Sequence, residues 1–413
     1  MSFIECDAKI ADVRIIGLET IEFEEKFTMP SILFVRIYTD DGVVGLGETC
    51  YLPSSCARVV HEFLAPRLIG KDPLAIAQHW RSTANAISRF GGRGAELRAL
   101  AAVDVALWDI LGQVANLPIY QLLGGVANES VPVYNTCAGP LYASISKHAT
   151  PGEGSAAPAG IIYEDLIAAK DDAGALAESL LSEGITGMKI WPFDQFALKL
   201  GGSTINAETI EKALEPIKKI RDAVGDQIDV MIDGHGLWSL EPAKKIAHAL
   251  EPYAPYWLED LTLADPKVLA SLRASTNSPI SASEYLVNRN DVHAVLEAEG
   301  ADFIMIDPTW AGGITGARDI AQLADLYGKP VTFHDCTGPV TLQSGIHLAI
   351  STPNAAHQEI VRAFLGTTYA EVINEEFSFK NGRVYPPQGP GLGITLQKDL
   401  QDREYAHSTK TFG

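Results

Sequence analysis

The sequence is short of positive charge: Lys and Arg number 32 against 52 Asp and Glu, a formal net charge of −20. Phosphate backbones need clustered cations, so a nucleic-acid-binding surface is not expected. A small anionic substrate needs only one or two local cations or a metal and is not excluded. Cysteine is scarce as well, five residues in all (Cys6, Cys50, Cys56, Cys137, Cys336). No pair has the CxxC spacing of a zinc or redox site, and a chain of 413 residues needs no disulfide staples. A reducing, cytoplasmic setting is the expectation. No uncharged apolar run reaches membrane-spanning length, and the first residues lack a cationic stretch followed by an apolar core. Neither a membrane span nor a secretory signal is therefore expected. A GxGxxG fingerprint after an early strand is missing too, which argues against a dinucleotide-binding open sheet.

What is present fits a globular protein: 46% hydrophobic and 20% charged residues, long enough for one large barrel and a smaller partner. Residues 1–130 read as strands followed by helices, an α+β domain. Runs 13–18 and 32–39 are rich in β-branched residues, and Asp40-Asp41-Gly42 supplies turn chemistry before 43–48. In 97–111, Leu97, Leu100, Ala101, Asp104, Leu107, Trp108 and Leu111 share a helical stripe. After Gly124-Gly125 the rhythm changes. Short apolar runs at 131–135, 187–191, 228–233, 256–259, 279–283, 303–307, 330–334 and 356–360 alternate with helical segments. Eight such runs predict a parallel (β/α) barrel over 131–376. Two segments break the pattern. Residues 138–160, rich in Gly, Ala, Ser and Pro, read as a lid or mobile insertion, and 377–413 as a Pro/Gly-dense segment able to return over another domain.

Barrel enzymes carry reactive groups at the C-terminal ends of their strands. Three successive runs end at Asp233, at Glu259 and just before Glu284, acids roughly 25 residues apart, about one βα unit. Each alone is as consistent with a solvated loop acid; three converging carboxylates repel unless a hard divalent cation joins them, and Mg²⁺ suits an all-oxygen site. The next two runs end at Asp307 and His334, a carboxylate able to orient an imidazole and raise its basicity. Lys189 on the second strand can direct its ammonium at a substrate carboxylate or simply snorkel from the wall. Strand eight supplies Glu359. His235 follows Asp233 by two residues, a spacing that on a strand puts both side chains on one face. With a metal and Lys189 binding a carboxylate and His334 removing a proton, His235 across the cavity can protonate a departing hydroxide. β-Elimination of water is the economical reading.

The constellation resembles the enolase superfamily, specifically its mandelate racemase subgroup, over nearly the whole chain. The motifs are ALWDILGQVANLPIYQLLGG (106–125), GMKIW (187–191), MIDGHG (231–236), WLED (257–260), SASE (281–284), IMIDPTWAGGIT (304–315), FHD (333–335) and HQE (357–359). The resemblance implies a (β/α)₇β modified TIM barrel with an N-terminal α+β capping domain, completed by the C-terminal segment. It implies that Asp233, Glu259 and Glu284 hold Mg²⁺, that Asp307 and His334 form the base dyad, and that Glu359 hydrogen-bonds the substrate carboxylate or enediolate. It also implies a homo-oligomer. The departure lies on strand two, where racemases and muconate cycloisomerases typically carry KxK. Here Trp191 takes the second position, beside the pocket or packed in the wall, so one base is missing from that face. The DxH of Asp233-Gly234-His235 is similar to galactonate dehydratases, whose histidine expels the β-hydroxyl. The expectation is an acid-sugar dehydratase acting on a small carboxylate, with Lys189, Trp191 and Glu359 at the substrate. Racemisation or epimerisation with His235 and His334 as opposed bases is the alternative, and a catalytically silent binding protein a more distant one. Specificity is expected from capping-domain stretches 22–28, 49–53 and 88–94; there Arg89 and Arg93 suit a second carboxylate, though solvated surface explains them as well.

Overall fold

The computed structural model describes residues 13–24, 27, 29, 31–140, 142 and 163–413. Strands β1 (Ile15–Phe23), β2 (Ile32–Thr39) and β3 (Val44–Cys50) form an antiparallel meander, with Gly42 in the turn at φ 90°, where a Cβ is strained. β1 continues beyond the apolar run 13–18 because Glu19 is buried in the sheet, where it accepts from Ser408 and faces Arg36 at 3.4 Å. A buried acid with partners contributed by other strands looks polar in one strand's own sequence. The helix Ala95–Ala115 lies against β3, and its stretch 97–112 is nearly all buried rather than striped. Gly47 permits this approach, since a Cβ there would collide with the carbonyl of Ala102.

Eight strands then close a parallel barrel: β4 (Val131–Thr136), β5 (Gly187–Ile190), β6 (Asp229–Asp233), β7 (Trp257–Glu259), β8 (Ile280–Ala282), β9 (Phe303–Ile306), β10 (Val331–Phe333) and β11 (Ala355–Ile360). Each pairs with its successor, and β11 pairs with β4 to complete the ring. Helices fill the seven connections, giving the (β/α)₇β form. Tyr134, Met231, Trp257 and Met305 pack the interior below the strand ends, so the barrel is a solid floor under a cup.

The C-terminal segment is more ordered than a coil. Short strands β12 (Phe379–Lys380) and β13 (Arg383–Val384) add a hairpin to the start of β4, and β14 (Ala406–Phe412) pairs antiparallel with β1. The capping sheet is thus completed by the far end of the chain. No helix among the described residues is long and apolar enough to cross a membrane.

Two buried acids seat the cap on the barrel. Glu48 accepts from the backbone N–H groups of Val340 and Thr341 at 3.0 Å each, at the start of the barrel helix Pro339–Ser351. Asp104 accepts from the N–H of Thr315 at 2.9 Å and its hydroxyl at 2.7 Å, in the first turn of Gly313–Leu326. Helix N-termini offer unpaired N–H groups and positive dipole ends, so each carboxylate satisfies donors that its own helix cannot. Burial still pushes both carboxyls up to about 7, against the hydrogen bonds that lower them.

Candidate active site

The strand ends converge as their spacing predicts, with one exception. Asp233 and Glu259 close β6 and β7 as paired residues, and Glu284 lies just past β8. Asp307 and His334 follow β9 and β10, Lys189 lies within β5, and Glu359 within β11. His235 is the exception. It lies beyond the end of β6 with φ +46°, so strand alternation does not place it on the face of Asp233. A turn does: the His235 N–H donates to Asp233 Oδ1 at 2.8 Å, and the left-handed backbone swings the ring back inward. Its Nε2 ends 3.7 Å from Asp233 Oδ2.

Lys189 occupies the middle of the carboxylates. Its Nζ is 2.9 Å from Glu259 Oε1, 3.0 Å from Glu359 Oε1 and 3.6 Å from Asp233 Oδ2. Burial would lower its pKa, but Glu259 and Glu359 override that and hold it well above the usual lysine value. Lys189 is therefore engaged with the protein's own acids. Among the described residues, no three His, Cys, Asp or Glu side chains are gathered closely enough to hold a metal ion as they stand. Glu259 and Asp233 are within 2.9 and 3.6 Å of the Lys189 ammonium, and Glu284 lies past the end of the next strand. One ammonium does not balance the acids. Burial raises Glu259 well above the usual carboxylate range, and Asp233, Glu359 and Glu284 add to that against Lys189. Asp260 beside it keeps a buried Oδ1 with no partner among the described residues. An all-oxygen donor set with surplus negative charge fits a hard divalent cation.

Glu359 is fully buried: Oε1 accepts from the Thr136 hydroxyl and from Lys189, and Oε2 from the Asp335 N–H at 3.0 Å. His334 Nδ1 is 2.7 Å from Asp307 Oδ2, leaving Nε2 toward the cup, 3.9 Å from Glu284 and 3.8 Å from Glu359. Burial would lower its pKa; Glu284 and Glu359, then Asp307, raise it to about 10. On the opposite side, His235 Nδ1 is 2.6 Å from Asp194 Oδ2. Burial again would lower this histidine, and Asp233 and Asp194 raise it to about 10.

Asp194 is the residue that strand-end reasoning misses. It follows β5 by four positions, at the start of the short helix Asp194–Leu200, and no local signal marks it. Trp191 packs between Tyr142 and His235, ring centres 5.4 and 5.7 Å away, so it walls the His235 side rather than supplying a base. The turn 49–53 reaches the site: the Tyr51 ring lies 5.6 Å from Trp310, which lies 5.7 Å from His334. Arg93 does not reach it, being paired with Asp291 on a barrel helix, and Arg89 is exposed. Of the anticipated lid 138–160, only 138–140 and 142 are described; positions 25, 26 and 28 of the stretch 22–28 also lie outside the described residues.

β6 and β10 are four strands apart in an eight-strand ring, so the two imidazoles face each other across the cup. Comparison with known proteins agrees with this architecture. Residues 25–124 match the mandelate racemase / muconate lactonizing enzyme N-terminal domain, and 172–400 the enolase C-terminal domain-like family. An enolase of the mandelate racemase subgroup from Agrobacterium tumefaciens is 38% identical over 97% of this chain and 99% of its own, with a TM-score of 0.84. An enolase protein from Sargasso Sea environmental sequencing is 37% identical over 97% and 99%, TM-score 0.86. A protein of Salmonella enterica serovar Typhimurium, provisionally named a dehydratase, is 25% identical over 96% and 99%, TM-score 0.84.

Proposed function

The chain belongs to the mandelate racemase / muconate lactonizing enzyme family of the enolase superfamily, and on that premise we propose that it is a Mg²⁺-dependent dehydratase of an acid sugar, an aldonic or aldaric acid. The observation that carries this reading is the pair of opposed imidazoles, each held at Nδ1 by its own carboxylate, with Trp191 where a second lysine base would stand. His334 takes the proton α to the substrate carboxylate on Nε2, the electron pair of that C–H bond is held reversibly in the carboxylate as an enediolate, and its collapse forms the Cα–Cβ double bond. The Cβ–O bond breaks as His235 Nε2 gives a proton to the departing oxygen, which leaves as water. The enol left behind tautomerises to a 2-keto-3-deoxy acid. Asp233, Glu259 and Glu284 would hold the cation, whose positive charge would stabilise the anion developing on the substrate and offset the field keeping His334 protonated. Lys189 and Glu359 meet the substrate carboxylate, and Trp191 walls the pocket on the His235 side.

The test is a panel of aldonic and aldaric acids incubated with enzyme and Mg²⁺, read by semicarbazide for keto acid and by proton NMR in D₂O. A keto acid supports dehydration. Inversion of the α-centre with no loss of water would establish epimerisation with two bases instead, and calorimetry without any Mg²⁺ binding to the folded protein would remove the metal.

A further inference from the structure

Among the described residues, Asp194 makes one hydrogen bond through its side chain, to His235, and its other carboxylate oxygen is buried with no partner. Its exposure is 0%. Burying a carboxylate with half its acceptors unsatisfied is costly. Structural economy therefore does not account for Asp194, whereas its place against Nδ1 of His235 does work on that ring. The carboxylate can only accept, so the Nδ1 position carries the hydrogen, and Nε2 faces the cup, 3.5 Å from the Tyr142 hydroxyl and 3.7 Å from Asp233 Oδ2. The Asp233 carboxylate fixes the His235 backbone from the other side, and the Trp191 ring stands edge-on at 5.7 Å. The imidazole is thus held in rotation and in tautomer by the residue that follows β5, the helix Asp194–Leu200 and the last residue of β6.

We propose that Asp194 is a positioning residue that aims Nε2 of His235 at the departing hydroxyl, and so acts on C–O cleavage and not on removal of the α-proton. This rests on the dehydratase reading above. The two half-reactions then separate in one experiment, with Mg²⁺-loaded full-length enzyme and the acid sugar that the wild type converts. In Asp194→Ala, keto-acid formation falls at least about 30-fold, while exchange of the α-proton with D₂O, carried by His334, falls less than about threefold. KM changes little, and Asp194→Asn, which keeps an acceptor oxygen, lies between the two. Folding is checked by thermal unfolding, where Asp194→Ala should stay within ~5 °C of wild type.

A second readout needs no turnover. In ¹⁵N-histidine NMR of the metal-free protein, a downfield Nδ1–H proton assigned to His235 by its loss in His235→Gln should also vanish in Asp194→Ala. Parallel loss of exchange and product, product formation unaffected, or an Nδ1–H signal indifferent to Asp194, would each overturn the proposal. A wild type that neither exchanges nor dehydrates any acid sugar defeats the dehydratase reading instead, and the NMR signal then decides the positioning role alone.

Discussion

Two imidazole–carboxylate pairs face each other across the barrel mouth, and their carboxylates are anchored unequally. Asp307, which holds His334, accepts from five donors: both the N–H and hydroxyl of Thr309, the Trp310 N–H, the Thr337 hydroxyl and His334 itself. Asp194, which holds His235, accepts among the described residues from that histidine alone. The first pair is built into the barrel scaffold and the second leans on a seven-residue helix after β5. A weakly acidic C–H demands a base fixed in distance and angle, because little driving force is left to correct misplacement. A departing hydroxide is already a good acceptor and tolerates a looser donor. On the dehydratase reading proposed above, the inequality fits a division of labour between base and acid.

The largest effect should come from the base. His334→Asn should lower both α-proton exchange and keto-acid formation by roughly 10⁴-fold, measured in D₂O with circular dichroism unchanged. Surviving exchange would take the base role away from His334. Asp307→Asn comes next: with the correct tautomer no longer enforced, both readouts should fall together, by roughly 10²- to 10⁴-fold. That parallel loss contrasts with the split expected on the Asp194 side; a split in Asp307→Asn as well would erase the comparison.

The buried acids outside both pairs provide a control. Glu48 has an ordinary value of 4.5 and is pushed up to about 7 by burial, so the folded state binds its proton more tightly than the unfolded state. Its contribution to stability is full below pH 4.5 and is lost as pH rises to about 7, on the order of 3 kcal/mol. Asp104 has the same sign. Glu48→Gln should therefore flatten the fall in unfolding free energy between pH 4.5 and 7, by denaturant titration at each pH, whatever its effect on absolute stability. An unchanged slope would show that Glu48 is not the titrating group. The smallest effect belongs to Arg93, whose ion pair with Asp291 is exposed: Arg93→Ala should cost at most about 1 kcal/mol and leave substrate preference unaltered. A changed preference for dicarboxylates would restore it as a specificity residue.

The barrel was legible because each strand is a short apolar run, and its rim because Asp233, Glu259, Asp307 and His334 close or follow those runs directly. Such a pattern is local, so the sequence by itself determines it. Three things were decided only by tertiary structure. His235 reaches the site through a left-handed turn and not through strand alternation. Lys189 settles among Glu259, Glu359 and Asp233, because a buried ammonium takes the acids nearest to it. Asp194, apart from His235 by two elements of chain, becomes its partner when β5 and β6 lie side by side. The same holds for β14 and for Glu19 beneath it, whose partners come from opposite ends of the chain. A hydrophobic period records which face of one segment is buried; which side chain another segment brings to meet it depends on how the elements pack.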